Sequence, residues 1–227
     1  MQANTTAEQQ EKEFRFTLSK LSHELRNPLA LVSSELQLMV SSHPEISTYE
    51  GWDDIMDNLE YIKELLNELS DYNNAGKLTL CPTELYSFLS SFLASCRPAL
   101  EYLGITLETD IPSHLPKIPL DRTKMRQALL NLLRNAQEAI SHPQGKIKVQ
   151  ANILPDGIRI SICDNGCGIT HSQQPDIFTP FVTFKSGGTG LGLPITRQII
   201  EAHGGHLEIS SVPDQGTEVR IFLDDTG

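Results

Sequence analysis

A histidine and a carboxylate stand side by side in Ser22-His23-Glu24-Leu25-Arg26-Asn27-Pro28-Leu29, within a run of helical periodicity. A neutral imidazole is a nitrogen nucleophile, and Glu24 can take the proton from one ring nitrogen, leaving the other free to attack. Asn27 lies four residues after His23, one turn along on the same face. Much later, Asn131 and Asn135 also share one helix face, with Arg134 beside them. Carboxamide oxygens are hard ligands suited to Mg2+, amides meet phosphate oxygens, and a guanidinium supplies positive charge to phosphates. In Asp164-Asn165-Gly166-Cys167-Gly168 a carboxylate ends a strand, and Gly166 and Gly168 let the backbone turn tightly. Finally, Gly188-Thr189-Gly190-Leu191-Gly192-Leu193 opens a helix, so free backbone N–H groups and the helix dipole face an anion, with Lys185 just upstream.

Each piece has a plainer alternative. A surface His-Glu pair is usually a solvated helix face. Asn27 can serve only to break the helix before Pro28, which disfavours α conformation in its predecessor. An Asn often caps local backbone, and Asp-Asn-Gly can be an ordinary turn. Order and context decide between these readings.

The elements that carry the pieces fall into two groups. Leu18, Leu21, Leu25, Leu29, Val32, Leu36 and Met39 recur at steps of three and four, one apolar stripe on a helix of roughly seven turns. Leu21 and Leu25 belong to that stripe, so His23 is expected roughly 200° away, on the solvent face. Pro28 should bend the helix. Residues 1–13 are polar and sit in place to continue a helix from an upstream sensor. Ile55, Leu59, Ile62, Leu66 and Leu69 give a second helix with a strict heptad seam. A lone helical hairpin buries too little surface to stand in water, so dimerisation into a four-helix bundle is expected; packing on the downstream half is the alternative. Asn73-Asn74-Ala75-Gly76 and Pro82 mark the boundary, giving domains 1–77 and 78–227.

The second half alternates. Helices are expected over 83–101 with Thr83 as cap, 121–141 with Asp121 as cap, and 191–202. Strands are expected over 105–109, 146–154, 158–163, 206–212 and 218–223, largely in antiparallel hairpins. The fold class is therefore an all-α antiparallel hairpin followed by a two-layer α/β sandwich.

Composition narrows the functions. Of the net charge of −11, −8 falls in residues 1–77, and an acidic surface argues against binding nucleic acid. Cys81, Cys96, Cys163 and Cys167 form no CxxC pair and read as plain thiols in a reducing compartment. With no long apolar run and no signal segment, the chain is expected to be cytoplasmic, or the inner part of a membrane-bound sensor.

His23-Glu24-Leu25-Arg26-Asn27-Pro28, the asparagine pair with Arg134 and Ala136, Asp164-Asn165-Gly166-Cys167-Gly168 and the 188–193 glycine loop, in this order over residues 14–223, closely resemble the transmitter core of a sensor histidine kinase. The short lid and Asn27 look most like the sporulation and nitrogen-regulation kinases. The resemblance implies a homodimeric, ATP- and Mg2+-dependent kinase that phosphorylates His23 and passes the phosphoryl group to a response-regulator receiver aspartate. It implies that Asn135 holds Mg2+ and that Asp164 accepts the adenine amino group. It also implies an ATP site completed by Asn131, Arg134, Gly166, Gly168, Lys185, Gly188, Thr189, Gly190, Leu191, Gly192, Leu193 and Thr217. Ile177-Phe178-Thr179-Pro180-Phe181 would hinge a lid over residues 183–189. An Asn at the place of Asn27 is linked in the family to dephosphorylation of the regulator. Related ATPases place a water-activating Glu four residues before the magnesium-binding Asn; here Asn131, a far poorer base, stands there. That favours a phosphotransferase over an ATP-driven conformational ATPase, the alternatives being that ATPase or a dimeric phosphotransfer scaffold.

Overall fold

Helix α1 (Gln2–Ser42) runs through Pro28, a 3-10 turn occupies Pro44–Thr48, and α2 (Trp52–Asn74) returns against α1. The structure, a computed structural model, describes residues 2–185 and 187–224, with only the backbone described for residues 2–16 and His23. Two compact units divide it, Met1–Asn74 and Ala75–Gly227. Helix α1 takes in residues 2–13, so the polar opening residues are helical, in keeping with their expected place in a continuing helix.

The apolar stripe of α1 is not one buried face. Ser22 and Ser33 are its buried side chains, whereas Leu21, Leu25, Val32 and Met39 are exposed, as are Ile55 and Ile62 of α2. Leu59 and Leu66 carry the buried seam of α2. Small serines let two helices approach closely, and the larger residues fall on an adjacent edge that one hairpin does not cover. The expectation that Leu21 and Leu25 are buried is thus corrected for the single chain. Ser22 turns its hydroxyl back onto the Leu18 carbonyl at 2.8 Å. Arg26 reaches across to the Leu66 carbonyl at 3.3 Å.

In the second unit the elements are β1 (Cys81–Glu84), α3 (Leu85–Tyr102), β2 (Thr106–Asp110), β3 (Lys117–Leu120), α4 (Arg122–Ala139), β4 (Lys146–Leu154), β5 (Gly157–Asp164), α5 (Gly192–Ala202), β6 (His206–Val212) and β7 (Gly216–Asp224). β1 and β3 form a two-stranded antiparallel sheet of their own. The other five strands run in the order β2-β4-β5-β7-β6, antiparallel except for the parallel β2–β4 pair. The register sets Leu107 beside Ile147, Val149 beside Ile162, and Ala151 beside Ile160 and Ile221, all on one face. That row is buried, and α3, α4 and α5 supply the second layer.

Thr83 does not cap α3. It lies in β1 opposite Ile118, is buried, and donates its hydroxyl to the Cys81 carbonyl at 3.0 Å. Pairing with β3 holds it extended, so the helix starts at Leu85. Asp121 does cap α4: its carboxylate accepts the N–H groups of Thr123 and Lys124 at 3.1 and 3.0 Å, and of Thr79 at 2.7 Å. Burial pushes that carboxyl up, but the three N–H donors prevail and hold it below its ordinary pKa. Its contribution to stability is therefore present at neutral pH and is lost as the pH falls through the depressed value. Asp121 also donates its own N–H to Nε2 of His203, at 3.0 Å, just past the end of α5.

Candidate functional site

The apolar side of α4, Met125, Ala128, Leu129, Leu132, Leu133 and Ala136, is buried. Helical spacing then turns Asn131, Arg134, Asn135 and Glu138 outward together. Asn131 and Asn135 are half-buried. The Asn131 amide donates to the Gly192 carbonyl at 3.2 Å, joining α4 to the start of α5.

Asn135, Glu138 and Lys185 form a cluster. Lys185 Nζ donates to Asn135 Oδ1 at 2.9 Å and to Glu138 Oε2 at 2.6 Å. The other oxygen of Glu138 accepts Arg134 Nε at 2.9 Å. Burial raises the Glu138 carboxyl, but Lys185 and then Arg134 outweigh it and leave the group below its usual range. Glu138 was not singled out in the sequence, yet it holds both cations expected for phosphate. Nothing local signals this, because Lys185 lies 47 residues away along the chain.

Asp164 ends β5 on the helix-covered face, in line with Ile160 and Ile162, and is buried. Its Oδ1 accepts the N–H groups of Gly166 at 2.9 Å and Thr217 at 3.2 Å. Two donors on one oxygen leave Oδ2 open to a ligand N–H. Burial is the largest influence on this carboxyl and raises it above its ordinary pKa, against the two N–H groups and Lys185.

The described residues of the 165–191 segment link Asp164 to α5 without helix or strand. Gly168, at φ 67°, passes so close to β6 that an added Cβ would lie 2.2 Å from the Val212 carbonyl oxygen. Gly190, at φ 71°, backs onto Phe181 and Val182, and its carbonyl accepts the Phe181 N–H at 3.2 Å. Phe178 lies under the Arg197 guanidinium, 4.2 Å from its ring centre, so the aromatic stretch is tied to α5. Thr189 accepts the Leu191 N–H at 3.3 Å, and Gly192 and Leu193 form the first turn of α5, whose N–H groups have no partner within the helix. The structure thus brings Asn131, Asn135, Lys185 and the start of α5 together. Gly166 and Thr217 meet on Asp164.

In the first unit, Glu24 and Asn27 are exposed, and Lys20 approaches Glu24 at 3.9 Å. His23 lies in α1, but its side chain is outside the described residues.

Asn135 Oδ1 already takes a cation, the Lys185 ammonium, so this oxygen fits Mg2+. Among the described residues, no cluster of three or more His, Cys, Asp or Glu forms a protein-only metal cage.

Two family models match the chain. The His Kinase A (phospho-acceptor) domain covers residues 15–77, and the histidine kinase-, DNA gyrase B- and HSP90-like ATPase covers residues 120–227. Sensory histidine kinase/phosphatase NtrB of Vibrio alginolyticus is 31% identical over 94% of this chain and 63% of its own length. Sporulation kinase B of Bacillus subtilis is 32% identical over 90% of this chain and 48% of its own. The chain therefore spans less than two thirds of these curated relatives. Among solved structures, full-length ShkA in complex with AMPPNP superposes with a TM-score of 0.77, at 26% identity, over 93% of this chain and 46% of that one. Among the described residues, no helix is long and apolar enough to cross a membrane.

Proposed function

This chain belongs to the sensor histidine kinases as their transmitter core, and on that premise we propose that it transfers the γ-phosphoryl group of ATP to His23 and then to an aspartate of a response-regulator receiver domain. The observation that carries this reading is the second-unit site: a buried carboxylate with one open oxygen at one end, and two helix-face asparagines beside a glycine-opened helix at the other. Asp164 Oδ2 accepts the adenine amino group. The Gly188–Leu193 stretch lays backbone N–H groups and the α5 dipole against the phosphates, with Lys185 and Arg134 adding positive charge. Asn135 holds Mg2+, which when bound neutralises phosphate charge and orients the transferred group. With Asn131 in place of a carboxylate base, water beside the γ-phosphate is not activated, and the group is kept for the histidine. In the first unit Glu24 draws a proton from the His23 ring and leaves the attacking nitrogen neutral. The test is incubation with γ-labelled ATP and Mg2+: acid-labile, base-stable label on the protein supports the reading, and bare phosphate release with no label sinks it.

The working form is a homodimer through residues 16–72. Supporting this is the uncovered apolar edge of the hairpin, with Leu21, Leu25, Val32, Met39, Ile55 and Ile62 all exposed in the single chain. Ile62→Glu would bury an unpaired charge at that edge in each protomer, a loss on the order of several kcal/mol per dimer. Sedimentation should show this variant monomeric and helical at micromolar concentration, with the wild type dimeric; a monomeric wild type removes the proposal.

Asn27 orients a water that removes phosphate from the regulator. NtrB, which carries both kinase and phosphatase in its name, is one of the relatives. Asn27→Ala should slow regulator dephosphorylation by roughly ten- to a thousandfold while His23 labels normally. Unchanged dephosphorylation defeats this role; loss of labelling together with thermal stability makes Asn27 a helix-shaping residue before Pro28. The chain's proposed place of work is the cytoplasm, alone or as the inner part of a membrane-bound sensor.

A further inference from the structure

We propose that Glu138 is a positioning residue that holds the Lys185 ammonium on the Asn135 carboxamide oxygen, so that Lys185 and a divalent cation compete for one oxygen. This deepens the proposed function, since it concerns how that same site is loaded.

The geometry has three parts. Lys185 comes from the 165–191 segment, while Asn135 and Glu138 stand one turn apart on α4, so the ammonium fastens the segment to the helix at one point. Glu138 is bidentate in effect: Oε2 takes Lys185 and Oε1 takes Arg134. A carboxylate held by Arg134 is fixed in place to receive the lysine, and a fixed acceptor lowers the disorder of the mobile partner. The third part is chemical. An ammonium at 2.9 Å takes one of the two lone pairs of Asn135 Oδ1 and sets its positive charge against a metal ion at that oxygen. Lys185 and a metal ion cannot share that direction. With nucleotide and metal bound, Asn135 would hold the metal and Lys185 would pair with phosphate oxygens in place of Glu138.

Glu138 thus keeps the cluster self-compensated, its carboxylate balancing the Lys185 and Arg134 cations. Removing its charge should free the lid lysine before nucleotide arrives.

The experiment pairs Glu138→Gln with Lys185→Met in a double-mutant cycle, on the whole chain. Two quantities are read: amide hydrogen exchange across residues 183–189 in EDTA without nucleotide, and calorimetric affinity for ATP at fixed free Mg2+. The Lys185–Glu138 pair is exposed, so modest effects are expected. Glu138→Gln should speed lid exchange by about two- to fivefold and tighten ATP by a similar factor in the wild-type background. Both changes should vanish in the Lys185→Met background, because Glu138 then has no lysine to hold. Tightening that persists or grows without Lys185 would mean Glu138 acts only as a bare charge near the phosphates, and overturns the proposal. Unchanged lid exchange in Glu138→Gln overturns it as well. A wild type that binds no ATP would instead sink the proposed function, while the exchange measurement still reports on the latch.

Discussion

Asp164→Asn should lower ATP affinity on the order of a hundredfold while leaving the melting temperature at neutral pH unchanged or higher. An Asn keeps a carbonyl oxygen for the Gly166 and Thr217 N–H groups, so the turn that follows β5 stays closed. What changes is the second atom: an NH2 group replaces the open oxygen and meets the adenine amino group donor to donor. The stability half of the expectation comes from burial, which raises this carboxyl above its ordinary pKa. A raised pKa means that the folded protein binds the proton more tightly than the unfolded chain. Stability from this group is full below the unfolded value and is lost as pH rises through the folded one, so the ionised form is a liability at neutral pH that Asn removes. The same sign predicts weaker ATP binding as pH falls through the raised value, because the protonated carboxyl no longer accepts freely. Calorimetric titration and thermal melts on one preparation decide; full affinity in the variant would take Asp164 out of the adenine site.

His23→Gln should remove all acid-labile label while ATP affinity stays within about twofold, since the acceptor and the nucleotide-binding residues belong to separate units of the chain. Two other histidines could be suspected of receiving the group, and the structure argues against both. His203 Nε2 accepts the Asp121 N–H, which requires its lone pair, while Nδ1 lies 2.7 Å from the Ile199 carbonyl and so carries the proton. Phosphorylation there would break into the start of α4. His206 stacks flat on Phe222 with ring centres 4.6 Å apart, on a strand. Label that survives in His23→Gln, located by peptide mapping, would displace His23 as the acceptor.

Much of the fold was legible because its signals are local. The 3.6 periodicity of Met125–Ala136, the Asp121 cap and the alternation of β4 and β5 each lie within one element, and all appear where the sequence puts them. The misses share a cause. β1 and β3 are four-residue strands carrying Pro82 and Pro119, and their extended form comes from pairing with each other across the length of α3 and β2. Thr83 therefore looked like a helix cap. The parallel β2–β4 pair has no turn to announce it. On α1, periodicity identified a stripe but not that serines on one edge meet α2 while leucines on the other stay uncovered. In the candidate site, residue types singled out both asparagines, Asp164 and the glycines. Glu138 looked like any solvent-facing helix residue, since its partner arrives from a distant segment.

The two bridges between α4 and α5 decide where nucleotide binding loses conformational entropy. Asn131 holds Gly192 at one place and His203 holds Asp121 at another, so the two helices proposed to face the phosphates are already fixed relative to each other. Ordering them further releases and consumes little. The 165–191 segment is instead anchored at separate points, Ile169 on Ser211, Phe178 on Arg197 and Lys185 on Asn135 and Glu138, and immobilising the backbone of a residue between such anchors opposes binding by about 1–2 kcal/mol. The strength of nucleotide binding is therefore set chiefly by how much of that segment must be stilled. Shortening or stiffening residues 183–189 would retune affinity and residence time while every group that touches the phosphates from the helices stays where it is.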